Sequence, residues 1–217
     1  PRFPVMKETF RLEGHRDEIW VVSISHSGKF IASASKDTTI CVWSFAHTVA
    51  PIAVLTGHTG AVGCVQWGPD DEYILSGSAD TSVKLWSQND CMRTFSKHTD
   101  TVSGVSWLCG DKFFSGSADK SVVLWTLVGV QLATWRFQGK VQDIDLIPGW
   151  LVVASSERNV QLIDLTGEDK WFDEPVCLPE RFPITSLCSA HTSPHVLVNI
   201  STLPPRIHLW NLATRRM

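Results

Sequence analysis

Three segments of the 217-residue chain repeat one arrangement of residue types at an interval of about 40 residues. Each segment begins with a histidine, continues through a Ser-x-Ser-x-Asp or similar stretch and ends at a tryptophan. Such an interval is typical of repeat proteins in which every repeat forms one supersecondary unit and buries its apolar faces against its neighbours. The three sets are His15, Ser33, Asp37 and Trp43; His58, Ser76, Asp80 and Trp86; and His98, Ser115, Asp119 and Trp125.

Short runs of β-branched and aromatic residues alternate with turn residues inside each repeat, which predicts β-strands joined by tight connections. Four strands per repeat form an antiparallel meander, so we predict an all-β fold of four-stranded antiparallel blades, a β-propeller. The predicted strands span 19–25, 30–35, 40–44 and 52–56 in the first repeat; 62–67, 73–78, 83–86 and 91–95 in the second; and 102–107, 112–117, 122–125 and 131–135 in the third.

Two further repeats are degenerate but keep the same order of elements. In the fourth, the histidine is missing, Glu157 replaces the turn aspartate and Ile163 replaces the tryptophan. The fifth is predicted to contain strands at 184–188, 195–200 and 206–211. We therefore predict that residues 1–217 form a single propeller domain or a partial propeller, with repeats at approximately 9–50, 51–90, 91–130, 131–170 and 171–217.

The segment before the first histidine, Thr9–Leu12, occupies the place of a blade's outermost strand. The repeats therefore begin one strand out of phase with the blades. Such an offset allows the first strand to complete the last blade and removes open sheet edges. On this interpretation the five repeats close as a five-bladed ring.

The composition restricts the classes of partner and the cellular compartment that we expect for this protein. The formal net charge is −3 with 19 Lys and Arg, so strong non-specific binding to nucleic acid or to an anionic membrane is not expected. The six cysteines form no C-x-x-C pair and mostly lie in apolar runs, which predicts buried, reduced thiols rather than disulfides or a zinc site. With no signal peptide, no apolar span of about 18 residues and no nucleotide-binding motif, we expect no metal, no cofactor and a cytoplasmic or nuclear location.

The repeated histidine, serine and aspartate invite comparison with a catalytic triad. An active site is normally built once, whereas this set recurs at the repeat interval. Every blade, by contrast, must satisfy the polar groups that it buries, and an aspartate, an imidazole, a hydroxyl and an indole N–H can do so by bonding to one another. We therefore predict structural hydrogen-bond sets and no catalytic residue. The alternative from another class is an enzyme with its active site in the propeller channel.

Charged and aromatic residues near the blade loops are candidates for contact with a protein partner, because propellers commonly bind through their loop faces and central opening. The alternative for each candidate is a solvated rim residue, with the tryptophan packed between blades. The candidates are Arg16, Trp20, Lys36, Lys97 and Lys120.

At the level of these motifs the chain resembles the WD-repeat family over nearly its whole length. The family's namesake aspartate after tryptophan is replaced by Ser44, Ser87 and Thr126, at a position that varies among members. The resemblance implies a β-propeller that binds other proteins. It rests on Gly14-His15, on Gly57-His58, on the stretches ending at Asp37, Asp80 and Asp119, and on Trp43, Trp86 and Trp125.

The order of the repeats is more narrowly similar to the WD-repeat subunit of GID/CTLH ubiquitin-ligase assemblies. Three regular blades precede a fourth without its tryptophan and a fifth that reads through 196–201 and 207–212. This resemblance implies a subunit that recruits substrates or assembles the ligase, while other subunits perform the chemistry. Since such subunits resemble seven-bladed propellers, the five repeats are either part of a larger ring or a closed ring of five. The alternative function is a WD-repeat adaptor of another intracellular pathway.

Overall fold

The computed structural model describes residues 11–46, 49–87, 89–167, 176–179, 184–189, 195–200 and 206–211. Within these residues the regular secondary structure consists of β-strands, which form five antiparallel sheets. Strands pair in chain order in each sheet, so each sheet is a meander and forms one blade. The predicted all-β architecture of antiparallel blades is confirmed.

The strand bounds agree with the predicted ones to within two residues in the first three blades. Blade 1 contains β1 (Ile19–Ile24), β2 (Phe30–Ser35), β3 (Ile40–Ser44) and β4 (Ala53–Leu55). Blade 2 contains β5 (Val62–Trp67), β6 (Ile74–Ser78), β7 (Ser82–Ser87) and β8 (Asp90–Ser96). Blade 3 contains β9 (Val102–Cys109), β10 (Lys112–Ser117), β11 (Ser121–Thr126) and β12 (Gln131–Arg136).

The two degenerate repeats also form blades. Blade 4 contains β13 (Val141–Ile147), β14 (Trp150–Ser155), β15 (Asn159–Asp164) and β16 (Val176–Pro179). Blade 5 contains β17 (Ile184–Ser189), β18 (His195–Ile200) and β19 (Arg206–Asn211). Half of the predicted closing strand, Thr9 and Phe10, lies outside the described residues. The two positions of it that are described, Arg11 and Leu12, are not in a strand, so the prediction is wrong for them.

The first strand of each blade packs against the first strand of the next, in the order β1, β5, β9, β13 and β17. The hydrophobic core is therefore divided into four clusters, each lying between two consecutive blades. Successive side chains of a strand point to opposite faces of the sheet, and both faces of the central blades are buried. This explains why strands such as β14, whose residues after Trp150 are all buried, are apolar without alternation.

Candidate functional site

The residues of the repeated sets come from four different elements of a blade. The histidine lies in the loop four residues before the innermost strand, and the serine lies on the second strand. The aspartate lies in the tight turn between the second and third strands, and the tryptophan lies on the third strand. Strand pairing in register is what brings these side chains together, because the serine and the tryptophan lie two positions apart across the β6–β7 pair and its equivalents.

In blade 2 the four side chains form one continuous chain of hydrogen bonds. The indole Nε1 of Trp86 donates to Ser76 Oγ over 2.8 Å. Ser76 Oγ lies 2.8 Å from His58 Nε2, and His58 Nδ1 lies 2.7 Å from Asp80 Oδ2. Because an indole nitrogen can only donate, the Ser76 hydroxyl proton is left for Nε2, and the imidazole proton resides on Nδ1, facing the carboxylate.

Blades 1 and 3 repeat this geometry. The His15–Asp37 and His98–Asp119 contacts are 3.0 and 2.9 Å, and both histidines lie 2.8 Å from the hydroxyl of the serine. The tryptophan donates to the same hydroxyl over 2.8 Å in blade 1 and 2.9 Å in blade 3. The structure therefore brings together all twelve residues of the predicted sets, four in each blade.

The aspartate also organises the turn that holds it. Asp80 Oδ1 accepts the Ser82 N–H over 2.9 Å and the Ser82 hydroxyl over 2.6 Å, while Oδ2 accepts the Thr59 N–H over 3.0 Å. The intervening Thr81 has a φ of 71°, in the left-handed region that β-branched residues rarely adopt. The turn thus holds a strained residue in place through the bonds on either side of it.

These contacts set the charge states of the pair. Burial alone would raise the pKa of Asp80, but the hydrogen bonds from Ser82, from the Thr59 N–H and from His58 lower it to about 2. Burial lowers the pKa of His58 below its ordinary value, against the opposing effect of Asp80. At neutral pH the set therefore contains an ionised carboxylate and a neutral imidazole, in agreement with the donor directions above.

The connectivity of serine to Nε2 and aspartate to Nδ1 is that of a hydrolase triad, but its surroundings do not allow the same chemistry. A nucleophilic hydroxyl must reach a substrate carbonyl. Ser76 and Ser115 are fully buried, and Ser33 is buried as well. In each case the hydroxyl oxygen already accepts the indole N–H. The three sets are internal to the blades and offer no serine to a substrate.

In blade 4, apolar residues occupy the positions that hold the histidine, the serine and the tryptophan in blades 1 to 3. The sequence pattern revealed only some of these replacements. Phe137 lies four residues before β13, where the other blades have histidine, and Val153 occupies the serine position in the strand register. With Ile163, both belong to one buried cluster. A comparison of residues by their offset from the innermost strand would have identified Phe137. The histidine, the serine and the tryptophan are therefore all replaced in this blade. This is expected, because a buried hydrogen-bond network that is only partly satisfied is costly.

The five candidate contact residues are exposed and lie at the end of the blades that carries the histidine loops and the aspartate turns. Lys36 pairs with Asp17 and Glu18 at 3.7 and 3.8 Å. Trp20 is 51% exposed and its Nε1 donates to Glu18 over 3.3 Å, so it is not packed between blades. This end therefore presents an aromatic residue among charges of both signs. The other members are Arg16, Lys97 and Lys120.

The opposite end of the blades contains a cleft of about 500 Å³. Its walls are formed where the innermost strands end, and they include Trp67, Trp107, Cys109 and Pro148. The lining presents both apolar and polar surface, and His26 and Gln66 belong to it. A cleft of this kind at the end of the blades is a second place where a partner segment could dock.

Two carboxylates of blade 4 bind the backbone of blade 5. Asp143 accepts the Leu187 N–H over 2.8 Å, and Asp145 accepts the Ser189 N–H over 2.6 Å. Burial raises the pKa of Asp143 to about 7, in spite of the hydrogen bonds that it accepts from the Leu187 and Ile144 N–H groups, and the nearby Asp145 adds to the rise. Nothing in the sequence pattern pointed to these residues, because their donors lie 44 positions away.

The cysteines differ from their prediction in part. Cys41 and Cys64 are buried, and burial raises the pKa of Cys41 to about 11. Three other free thiols are exposed, so the prediction of burial is wrong for them. The physical reason is the position of two of them, since Cys91 lies on the outermost strand β8 and Cys109 lies at the end of β9; the third, Cys188, lies on β17.

Within the described residues, no group of three or more His, Cys, Asp or Glu side chains is placed to hold a metal ion. In the same part of the chain, no helix is long and apolar enough to cross a membrane.

Comparison with known proteins identifies related sequences. The profile of the family described as WD domain, G-beta repeat matches residues 6–44, 49–87 and 89–126, more than half of the chain. The chain is 30% identical over 210 residues to the WD repeat-containing protein 26 homolog of Arabidopsis thaliana, covering 93% of this chain and 34% of that protein. It is 30% identical over 226 residues to GID complex subunit 7 of Schizosaccharomyces pombe, covering 97% and 42%.

A third relative is the WD repeat-containing protein WDS homolog of Arabidopsis thaliana, 29% identical over 219 residues, with 93% of this chain and 40% of that protein covered. The chain therefore spans between about a third and two fifths of the length of these curated relatives. The region of similarity includes the degenerate blades as well as the three regular ones.

Proposed function

Because the chain belongs to the WD domain, G-beta repeat family, whose members act as protein-interaction scaffolds, we propose that it is a subunit of a GID/CTLH-type ubiquitin ligase that recruits substrates or assembles the complex. The similarity to GID complex subunit 7 extends over 97% of the chain, which supports this assignment. On this proposal the ligation chemistry belongs to other subunits, and the protein works in the cytoplasm or the nucleus.

One structural observation carries the non-catalytic part of the proposal. The polar residues that could have formed an active site are used within the blades, where the serine hydroxyls of all three sets are buried. The chemistry available to a partner is therefore that of the exposed loops. At the histidine-loop end this chemistry consists of Trp20 and mixed charges, which suit a polar protein surface better than a small apolar ligand.

The proposed contact surface consists of the exposed candidates Arg16, Trp20, Lys36, Lys97 and Lys120. Lys36 already has acidic neighbours, so its charge is partly compensated within the chain. The remaining three cations are spread over blades 1 and 3 and thus over two repeats. Such a distribution fits a partner that crosses several blades, and we expect it to present acidic groups opposite these loops.

The test is affinity purification of the tagged chain from cells of its source, followed by mass spectrometry. We expect co-purification of a RING subunit and of CTLH-type proteins with the unmodified chain. A variant carrying Arg16→Ala, Lys97→Ala and Lys120→Ala should lose them. Lys29→Ala is the matched control, because Lys29 is an exposed lysine in the turn between β1 and β2, at the other end of the blades.

The outcomes separate the parts of the proposal. Recovery of neither RING nor CTLH proteins with the unmodified chain would contradict the ligase assignment and favour an adaptor of another pathway. Equal recovery with the triple variant would leave the ligase assignment standing and exclude the histidine-loop end as the contact surface. Fluorescence microscopy of the tagged chain checks the cytoplasmic or nuclear location.

A further inference from the structure

Two carboxylates of β13 and two backbone N–H groups of β17 form a regular arrangement, which we call the blade 4–5 contact. Asp143 and Asp145 lie two positions apart on β13, as Leu187 and Ser189 do on β17, so each pair lies on one side of its strand. Besides the N–H of β17, each carboxylate accepts the N–H of the residue that follows it on β13, over 2.9 Å for Asp143 and 2.8 Å for Asp145. All four carboxylate oxygens therefore accept backbone N–H groups.

The equivalent contact between blades 2 and 3 uses a neutral side chain. Gln66 occupies the position of Asp145 in the strand register, and its Oε1 accepts the Trp107 N–H over 2.9 Å. Trp107 in turn occupies the position of Ser189. An amide oxygen thus makes the same bond between blades 2 and 3 that a carboxylate makes between blades 4 and 5. The fold therefore does not require an ionisable group at this position.

Among the described residues, no cation forms an ion pair with either carboxylate of the blade 4–5 contact. β9 places Gly104 against Asp143, since a Cβ on this glycine would lie 3.2 Å from Asp143 Oδ1. Burial and the charge of Asp143 raise the pKa of the Cys64 thiol on β5, which stays neutral. Ionisation of Asp143 therefore adds a negative charge beside Asp145 with no cation to offset it. The titratable residues of the strands that pack against β13 are Cys109 of β9, Lys112 of β10 and Cys188 of β17.

We propose that the blade 4–5 contact is a pH-sensitive switch, closed while Asp143 is protonated and weakened when Asp143 releases its proton to solvent. At higher pH, blade 5 then separates more readily from blade 4, while the neutral contact between blades 2 and 3 is unaffected. A partner that contacts both blade 4 and blade 5 should therefore bind more weakly as the pH rises. This switch lies in the fold itself and does not depend on the proposed ligase function.

The direction of the effect follows from proton linkage. Burial raises the pKa of Asp143 from 3.8 to about 7. When the two blades separate, water reaches the carboxyl group and its pKa returns toward 3.8. Because the separated state binds the proton more weakly, separation releases a proton and is favoured as the pH rises. With these two values, the equilibrium constant for separation increases about tenfold between pH 6 and pH 8.

Amide hydrogen exchange of the 217-residue chain, measured by nuclear magnetic resonance, tests this switch. The protection factors of the Leu187 and Ser189 amides, which already exclude the intrinsic pH dependence of exchange, are followed from pH 6 to pH 8. We expect both to fall about tenfold. The Trp107 amide is the internal control, because it has the same place in its blade as Ser189 and bonds to the neutral Gln66. Its protection should not change.

Asp143→Asn removes the titrating proton and keeps an oxygen that can accept the Leu187 N–H. In this variant the protection of Ser189 should be independent of pH, whatever its absolute value. Asp111→Asn, at an exposed carboxylate between β9 and β10, is the matched control and should retain the fall in protection. Constant protection of Leu187 and Ser189 in the unmodified chain would overturn the proposal. An equal fall at Trp107, or a fall that persists in Asp143→Asn, would overturn it as well, since the titration would then not act through this contact.

Discussion

The hydroxyl of Ser76 offers the sharpest test of how the buried polar sets stabilise a blade. This single oxygen accepts from Trp86 Nε1 and lies within hydrogen-bond distance of His58 Nε2. Ser76→Ala removes it and leaves both nitrogens without that partner. Both side chains are at least 95% buried, so water does not readily replace the hydroxyl.

The expected loss of stability follows from the number of polar groups that are left without a hydrogen-bond partner. A buried donor or acceptor left unsatisfied costs about 1–3 kcal/mol. Two such nitrogens give a loss of about 2–6 kcal/mol in the free energy of unfolding. For a domain of this size, at about 2–4 °C per kcal/mol, that corresponds to a decrease of about 4–24 °C in melting temperature.

A second buried serine provides a matched control with the opposite expectation. Ser106 on β9 is 1% exposed, and its hydroxyl has no hydrogen-bond partner within the described part of the chain. Ser106→Ala therefore removes a polar group that is already unsatisfied. We expect a change within about 0.5 kcal/mol, or a gain in stability of up to about 1 kcal/mol.

Urea denaturation followed by far-ultraviolet circular dichroism measures both variants against the unmodified chain. Hydrogen exchange of the β6 and β7 amides shows whether the loss is local to blade 2, which matters because repeat arrays need not unfold in one step. Equal destabilisation by the two alanine substitutions would refute the reasoning, since it would assign the cost to lost packing volume rather than to hydrogen bonding.

Three further predictions address the apolar replacement, the strained turn and the carboxylate of blade 4. Phe137→His should lower the free energy of unfolding by about 2–4 kcal/mol, because the imidazole enters an apolar cluster without partners, whereas Phe137→Leu should cost only about 1–2 kcal/mol. Thr81→Asn should raise the free energy of unfolding by about 0.5–1 kcal/mol, because asparagine tolerates the left-handed φ of 71°. Thr94→Asn in the strand β8 is the control and should not raise it. Urea denaturation measures these four variants. Burial raises the pKa of Asp143 from 3.8 to about 7, so its contribution to stability is full below pH 3.8 and is lost as the pH rises through 7. Asp143→Asn should flatten this decline in a series of denaturation curves from pH 4 to 8. Asp111→Asn, at an exposed carboxylate, is the control and should leave the decline unchanged.

Each of these predictions has a contradicting outcome. Equal costs for the histidine and leucine variants would show that blade 4 tolerates a polar group at this position. A loss of stability in Thr81→Asn would mean that the threonine makes contacts worth more than its strain. An unchanged pH slope in Asp143→Asn would place the titrating group elsewhere in the chain.

Much of the blade architecture was accessible from the sequence because it depends on local pattern. Strand bounds follow from alternating runs and turn residues, and these were correct to within two residues in the three regular blades. The sets of His58, Ser76, Asp80 and Trp86 and their equivalents were identified by spacing alone. The degenerate blades were also recognised, although Phe137 was not seen as the replacement for the histidine.

What escaped the sequence depends on neighbours about 40 residues away. The rise in the pKa of Asp143 and its bond to Leu187 arise between blades 4 and 5.

The sequence by itself determined the repeat, the strands and the hydrogen-bonding residues of each blade, because these are set by residue types within a single repeat. Only the tertiary structure decided which faces are covered, since burial depends on whether another blade lies alongside. Leu75, Val83 and Leu85 are buried because blade 3 lies alongside blade 2, and Val62 and Val65 are buried because blade 1 does. Their apolar character is set by the repeat, but their burial is a property of the assembled array.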